Sequence, residues 1–348
     1  MNINKNTGQE PNSSKSAYLE AITAYAKHLK LGTSDDTTTL NTQVSELQNL
    51  EDLHTQLSQH EQALHTYSQA IASYSRTLTP SPDYIYALNN QGKVLQKLGN
   101  LHTQLSNHKQ AIHSYSEAIA SYARALSLAP HDINALNNQG STLHRLGDLQ
   151  AQLAQHEQAL KSYQEAVVAY SRSLSLAPGD KDVFNNKGSV LSSLGNLQTQ
   201  LVHHEQALQS YTDAIAAYNS ALSLAPDYIS AFNNKGYTLQ RLGDLQTQLV
   251  QHQQALQSYT DAIAAYNRTL TLVPDFITAL NNKGLTLKRL GSLQVKLSQE
   301  HDAFKSWQVA LIVFTRSLEI VPGDDYIRHQ RELLQKLLDS LGEDTPNN

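Results

Sequence analysis

A phrase of two asparagines followed closely by a glycine recurs in this chain and constrains its fold more than any other feature. The glycine of the phrase returns at every 48th residue. A constant period of tens of residues indicates a repeat array, in which units pack on their neighbours and the chain grows by adding units rather than separate cores. The five glycines are Gly92, Gly140, Gly188, Gly236 and Gly284.

Each unit is predicted to be helical throughout. In the unit 227–274 the apolar residues recur every three or four positions, which indicates amphipathic helices rather than strands. Unbroken helix of that length is unusual, so we expect one turn inside the unit. One candidate turn is at Gly243, since glycine often ends a helix. We favour the second candidate, residues 250–253, because it leaves two arms of equal length that can bury each other fully.

The repeat becomes degenerate toward both ends of the chain. Counting back from Gly92 by one period places Val44 at the glycine position. We therefore predict a disordered polar tail over residues 1–16 and a single solenoid over 17–342. The solenoid comprises an N-terminal helix, about six 48-residue hairpins and a C-terminal capping helix, and a short tail covers 343–348.

Composition argues against several classes of protein. The chain has no cysteine, which excludes disulfides and thiolate metal sites, and its net charge of −5 lacks the basic excess typical of nucleic-acid binding. The longest apolar run, residues 309–314, is far shorter than the roughly 20 residues that span a bilayer. No phosphate-binding glycine loop or His-Glu-x-x-His motif occurs. We expect a cytoplasmic, non-enzymatic protein with no cofactor, metal, nucleic-acid partner or membrane partner.

The unit resembles the tetratricopeptide repeat. Phe232, Gly236 and Leu239 are similar to that family's first helix, and the phrase that begins at His252 is similar to the start of its second. The resemblance covers about 17–341. It implies an all-α fold, a right-handed α-solenoid of stacked antiparallel helical hairpins that forms a superhelix and binds proteins or peptides. The family unit has about 34 residues, so we interpret the 48-residue unit as seven extra residues on each arm.

The second helix carries two aromatic residues seven positions apart, such as Tyr259 and Tyr266, which lie on one helix face. The last unit replaces the pair by Trp307 and Phe314, which indicates a requirement for aromatic rings rather than for hydroxyl groups. We expect the glycines to allow close approach of neighbouring helices. Replacing Gly188 by Leu should then overpack a contact between units and cost roughly 1–3 kcal/mol.

The second asparagine of each pair is the first candidate ligand-binding row. The resemblance implies that the first helices line a concave groove, where a carboxamide can pair with both the N–H and the C=O groups of an extended peptide. The alternative is that this row only forms hydrogen bonds between adjacent units. The first asparagine of each pair is expected to pack or to bond between helices. The candidate row is Asn90, Asn138, Asn186, Asn234 and Asn282.

Two further positions belong to the same predicted face. The residue three after the candidate asparagine varies and includes Lys93 and Tyr237. The residue seven after it is mostly basic, which favours an acidic or carboxylate-bearing ligand. The alternative is a solvated face on which these cations pair with local acids such as Asp148 and Asp244. The basic row is Lys97, Arg145, Arg241 and Arg289.

A row of histidines lies at the predicted turn. One histidine per unit cannot converge on a single ion, whose ligands lie about 2 Å away, so we expect packing rather than metal binding. We interpret the chain as a binding scaffold for an extended acidic segment of an unidentified protein. The alternative is a structural protein that self-associates without a peptide ligand. The histidines are His60, His108, His156, His204 and His252.

Overall fold

The computed structural model describes residues 82–343, and every element in that range is an α-helix. The predictions for residues 1–81, including the N-terminal tail and the degenerate unit, and for 344–348 lie outside the described residues. None of the described helices is long and apolar enough to cross a membrane. The helices are α1 Pro82–Gln104, α2 His108–Leu128, α3 Ile133–Gln152, α4 His156–Leu176, α5 Lys181–Gln200, α6 His204–Leu224, α7 Ile229–Gln248, α8 His252–Leu272, α9 Ile277–Lys296, α10 Glu300–Ile320 and α11 Asp325–Glu343.

Successive helices pair as antiparallel hairpins: α1 with α2, α3 with α4, α5 with α6, α7 with α8, and α9 with α10. The turn inside each hairpin lies where the arms are of equal length. In the fourth hairpin the first arm ends at Gln248 after 20 residues and the second begins at His252 and has 21. The favoured position of the turn is therefore confirmed, and Gly243 lies inside the first helix instead of ending it.

The turn is closed by backbone hydrogen bonds in an unusual conformation. Val250 adopts the left-handed region with φ of 60°, and the Gln251 N–H donates to the Gln246 carbonyl at 2.8 Å. This bond from the residue after the left-handed one belongs to the Schellman motif, which usually has glycine at the left-handed position. The five turns within residues 82–343 instead have a residue with a side chain there: Ser106, Ala154, Val202, Val250 and Ser298.

Each hairpin is held by two layers in which an aromatic ring of the second helix lies directly on a glycine of the first. A Cβ atom on Gly188 would lie 2.7 Å from Cε1 of Tyr218, and one on Gly195 would lie 2.8 Å from Cδ1 of Tyr211. Both contacts are within one hairpin. The expectation that Gly188 lies at a contact between units is therefore wrong, because the ring of the same hairpin occupies that space.

We call these two layers the open layer and the turn layer, according to the end of the hairpin at which they lie. The open layer pairs Gly92 with Tyr122, Gly140 with Tyr170, Gly188 with Tyr218, Gly236 with Tyr266, and Gly284 with Phe314. The turn layer pairs Gly99 with Tyr115, Gly147 with Tyr163, Gly195 with Tyr211, Gly243 with Tyr259, and Gly291 with Trp307.

The described helices belong to two compact units, of which one ends at Leu176 and the other begins at Ala177. In the first unit α2 packs on α3, and the first helices α1 and α3 contact each other. In the second unit α6 packs on α7 and α8 on α9, and the first helices α5, α7 and α9 form a contacting row. The all-α class with stacked antiparallel hairpins is confirmed. A single solenoid over residues 17–342 remains a prediction.

The capping helix α11 completes the second unit. Ile327 and Leu334 on α11 are almost fully buried in one apolar cluster with Phe314 of α10 and Leu280 of α9. Asp324 begins the helix by accepting the Ile327 N–H at 3.0 Å. The apolar face of α11 therefore packs on the hairpin of α9 and α10, and its role as the cap of a solenoid remains a prediction.

Candidate functional site

Buried and partly buried side-chain hydrogen bonds hold the first helices of successive hairpins side by side. In the first unit Gln96 Nε2 donates to Ser141 Oγ at 3.1 Å. In the second unit Thr238 donates to Ser192 Oγ at 2.9 Å, and Thr286 donates to Gln240 Oε1 at 2.9 Å. Buried polar groups need such partners. The bonds therefore fix the register between first helices and align equivalent residues along one face of each unit.

At two positions the first asparagine of the pair forms a hydrogen bond to the start of a following helix, which agrees with the predicted bonding between helices. Asn89 Nδ2 donates to Asp132 Oδ2 at 2.6 Å, and Asn281 Nδ2 donates to Asp324 Oδ2 at 3.2 Å. Asp132 also accepts the Ala135 N–H at 3.1 Å and so begins α3. One aspartate thus caps a helix and binds the preceding hairpin.

The second asparagine of the pair differs in exposure from hairpin to hairpin. Asn186 is exposed on α5, whereas Asn138, Asn234 and Asn282 are half-buried. Asn90 is only 7% exposed, which leaves it little surface for the predicted contact with a ligand. Asn234 Nδ2 donates to Asn185 Oδ1 at 3.2 Å, so this amide takes the alternative role of bonding between hairpins.

The variable position after each open-layer glycine determines the partner of the tyrosine hydroxyl. Where this position is Ser189, the Tyr218 hydroxyl donates to it at 3.3 Å. Where it is Tyr237, that side chain is 38% exposed, and the hydroxyl of Tyr266 is buried without a hydrogen-bond partner among the described residues. Lys93 is exposed at the same position in α1. Tyr237 and Lys93 therefore present their side chains to solvent, as expected of a ligand-binding face.

The basic row divides between the two units. In the second unit Arg289 Nε lies 3.0 Å from Asp244 Oδ1, and Arg241 Nη1 lies 3.5 Å from Asp244 Oδ2. These two arginines therefore take the alternative role of pairing with a local acid. In the first unit Arg145 is exposed and Lys97 is half-buried.

The acid near Arg145 has different partners. Asp148 accepts the Tyr163 hydroxyl at 2.8 Å, and His144 Nε2 lies 3.6 Å from the same oxygen. The His144 and Tyr163 rings form an edge contact with centroids 5.9 Å apart. Burial lowers the pKa of His144 although the Asp148 charge opposes it.

The sequence analysis did not predict the hydrogen bonds that the tyrosine hydroxyls of the turn layer form with an Asn or Asp of the first helix, which we call the polar clasp. The Tyr211 hydroxyl donates to Asn196 Oδ1 at 2.9 Å, and the Tyr259 hydroxyl donates to Asp244 Oδ1 at 2.8 Å. Burial, and next the charge of Asp244, raises the pKa of Tyr259. The expectation that the hydroxyls are dispensable is therefore wrong for the turn layer. The available signal was an Asn or Asp after four of the five turn-layer glycines: Asn100, Asp148, Asn196 and Asp244.

The histidine row lies at the start of the second helices. Four second helices begin at a histidine, and all four side chains are half-buried. Within residues 82–343, no group of three or more His, Cys, Asp or Glu side chains could hold a metal ion. The four histidines are His108, His156, His204 and His252.

Two family models match the chain. One, described as tetratricopeptide repeat, matches residues 97–167, and the other, described as TPR repeat, matches residues 206–243. No curated protein matches the sequence.

Two solved structures share the fold at low sequence identity. The nuclear import adaptor Nro1 of S. pombe is 11% identical with a TM-score of 0.57, and the match covers 86% of this chain and 99% of that one. The C-terminal part of a TPR repeat-containing protein from Cytophaga hutchinsonii is 14% identical with a TM-score of 0.51, covering 91% of this chain and 95% of that one. At these identities the likeness shows the fold alone. The two matched segments, which together cover less than half of the chain, are similar to tetratricopeptide repeats, a family that generally serves as a scaffold for protein interaction.

Proposed function

We propose that the chain is a non-catalytic scaffold that binds an extended, acidic segment of a protein partner along its first helices. The observation that carries this proposal is the exposure of Asn186 on α5. A carboxamide both donates and accepts, so it can pair with the backbone of an extended segment whatever that segment's side chains are.

The spacing of the first helices suits an extended ligand. Packed helices lie about 8–10 Å apart, and an extended chain advances about 3.3–3.6 Å per residue. Three ligand residues therefore span one hairpin step. In the second unit Asn186, Asn234 and Asn282 occupy equivalent positions on contacting helices, and exposed Tyr237 lies beside them and offers an apolar surface.

Charge favours an acidic ligand. Arg145 is exposed in the first unit, and in the second unit Arg241 and Arg289 share the single carboxylate of Asp244. Arg241, Arg289 and Asp244 together carry one net positive charge in the second unit. Hydrogen bonds between arginine and carboxylate are stronger than neutral ones, so both units attract an acidic segment.

Direct binding tests the proposal. A labelled ten-residue peptide rich in Glu, and a Lys-rich counterpart, would be titrated against the full chain by fluorescence anisotropy. We expect the Glu-rich peptide to bind, and Asn186→Ala or Arg145→Ala to weaken it by about 3–10-fold, the value of one net hydrogen bond. Asn219→Ala and Asn267→Ala, at exposed asparagines of the second helices, are the matched controls. Equal binding by all variants, or preference for the Lys-rich peptide, would contradict the proposal.

A second candidate function is self-association without a peptide ligand. The last hairpin favours it, because Val309 is 41% exposed and Ile312 is 67% exposed on α10. The preceding hairpin has Asp261 and Ala264 at the equivalent positions. Analytical ultracentrifugation over a hundredfold range of concentration separates the two functions. Species that grow with concentration, and that Ile312→Ala disperses, would favour assembly, whereas a constant sedimentation coefficient would exclude it.

A further inference from the structure

A cationic cavity in the second unit is lined mainly by α9 and the capping helix α11, with one residue each from α7 and α8. Its volume is about 280 Å³. Among the described residues that line it, three are cations and none is acidic. The polar lining is Thr247, Tyr259, Lys288, Arg289, Ser292, Lys296, Tyr326 and Gln330.

The cavity residues depart from the repeat pattern at this one place. Where α9 has Lys288, Ser292 and Lys296, the preceding first helix α7 has Gln240, Asp244 and Gln248. Two Gln-to-Lys differences add two positive charges and one Asp-to-Ser difference removes a negative one, so the net charge of these positions is higher by three. The position of Lys296 is glutamine in all four preceding hairpins: Gln104, Gln152, Gln200 and Gln248.

The local contacts leave the two lysines without a counter-charge in the lining. Arg289 is paired with Asp244 at 3.0 Å, but Lys288 Nζ donates at 2.7 Å to the neutral Gln330 Oε1. Lys288 is half-buried, and burial followed by the nearby Arg289 charge lowers its pKa. A bound anion would stabilise this ammonium group, because an opposite charge favours the charged form.

We propose that this cavity binds a phosphate monoester in its dianionic form. Its two negative charges match the charges of Lys288 and Lys296, and the hydroxyls of Ser292 and Tyr326 provide further polar contacts. The volume is slightly below the 300–1,000 Å³ of pockets that enclose whole ligands, so it admits a phosphorylated group rather than a large cofactor. The group can belong to a phosphorylated side chain of a partner or to a free phosphorylated compound.

This inference goes beyond the proposed binding of an acidic segment and shares only Arg289 with it. The two are distinguishable, because phosphate binding needs no extended ligand. Asn186→Ala is expected to leave the affinity for phosphate unchanged and to weaken binding of the Glu-rich peptide.

The single tryptophan of the chain supplies an optical readout. Trp307 Nε1 donates to the Lys288 carbonyl at 3.2 Å, which connects the indole to the cavity helix. The full chain would be titrated at constant ionic strength with inorganic phosphate, free phosphoserine, a phosphoserine peptide and, as the monoanion control, acetate. Isothermal titration calorimetry would accompany the fluorescence, so that a silent indole does not hide binding.

We expect saturable binding of phosphate and phosphoserine, weaker at pH 5 than at pH 7.5, since the second pKa of a monoester is about 6. The double variant Lys288→Gln/Lys296→Gln restores the residues of the preceding hairpin and should lose at least tenfold in affinity. Lys305→Gln, at an exposed lysine on α10, is the matched control and should bind normally.

Tighter binding of the phosphoserine peptide than of free phosphoserine assigns the group to a protein partner, and equal binding assigns it to a free compound. Three results would each overturn the proposal. They are the absence of both heat and fluorescence change on titration with phosphate, binding of acetate as tight as that of phosphate, and full affinity in the double variant.

Discussion

The open layer and the turn layer of each hairpin share one packing arrangement but differ in polarity. In both, an aromatic ring occupies the space that a glycine leaves, within 3.1 Å of where a Cβ atom would lie. Only in the turn layer does an amide or carboxylate hold the tyrosine hydroxyl, as Asn196 does for Tyr211. The last hairpin shows the same difference, because Phe314 lacks a donor in the open layer while Trp307 keeps one in the turn layer. An aromatic ring thus fills both layers, whereas an amide or carboxylate partner for the hydroxyl recurs in the turn layer and the open layer has at most a serine, as Ser189 for Tyr218.

This difference assigns separate roles to the two halves of the first helices. In the second unit, the turn-layer acceptors Asn196 and Asp244 also bind Arg241 and Arg289, so the polar groups there hold hairpins together. The open layer leaves Asn186 and Tyr237 exposed. We therefore expect the proposed acidic segment to contact the second unit mainly at the open end.

The largest expected effect tests whether both layers contribute equally to the core. Tyr218→Ala in the open layer and Tyr211→Ala in the turn layer should each lower the free energy of unfolding by about 3–5 kcal/mol, because each removes a fully buried ring. Urea denaturation followed by circular dichroism measures both. If one of the two variants lost less than about 1 kcal/mol in free energy of unfolding and the other did not, the two layers would not contribute equally to the core.

Removal of a tyrosine hydroxyl should cost more stability in the turn layer than in the open layer. Tyr259→Phe removes a hydrogen bond to the Asp244 carboxylate and should cost about 1.5–3 kcal/mol. Tyr266→Phe removes a buried hydroxyl that has no partner among the described residues, so we expect a change within about 0.5 kcal/mol or a small gain. The same denaturation experiment applies, and equal losses in the two variants would show that our assignment of the polar clasp is wrong.

The turn beyond the turn layer stores backbone strain. Val250 is 71% exposed and adopts a left-handed conformation, which costs a residue with a side chain about 1–2 kcal/mol. Val250→Gly should therefore raise the stability by about 1 kcal/mol after the entropy cost of glycine is subtracted.

The control for this change is Val168→Gly at an exposed position inside α4, which should lower stability by a few tenths of a kcal/mol through helix propensity. A loss of stability in Val250→Gly would mean that the valine side chain makes a contact worth more than the strain.

The smallest expected effect is the pH dependence of stability that His144, beside the turn-layer acid Asp148, contributes. Asp148 has His144 near it, where Asp244 has two arginines. Because burial lowers the pKa of His144 below the unfolded value of about 6.5, the unfolded chain binds the proton more readily. Stability present at neutral pH is therefore lost as the pH falls through about 6.5.

The variant His144→Gln, which has the residue found at Gln96 and Gln240, should lose less stability than the parent between pH 7.5 and pH 5.5. Some dependence should remain, since burial also lowers the pKa of His102. Thermal melts at the two pH values measure the difference, and identical pH dependence in parent and variant would exclude a role for His144.

The two layers also explain how the family motif is placed on the chain. The family pattern contains a Leu-Gly pair and an alanine four residues before an aromatic. Leu-Gly occurs at the turn-layer glycine, as in Leu242-Gly243, whereas Gly236 follows a lysine. The alanine-to-aromatic spacing occurs twice, at Ala255 with Tyr259 and at Ala262 with Tyr266. We interpret the long unit as a hairpin in which one glycine–aromatic layer is duplicated seven residues away.

The sequence by itself determined the helices, the period and the position of the turn, because helix formation and burial follow local spacings that can be counted along the chain. It also placed the aromatic pairs on the buried face of the second helix. Only the tertiary structure decided that Asn186 is exposed while Asn90 is buried, that Asp244 binds two arginines, and that three cations line one cavity. Several of these outcomes depend on contacts between residues more than 40 positions apart, as in Arg289 with Asp244 and Lys288 with Gln330. Such contacts change with small differences in the angle and rise between hairpins, and no spacing in the sequence records those differences.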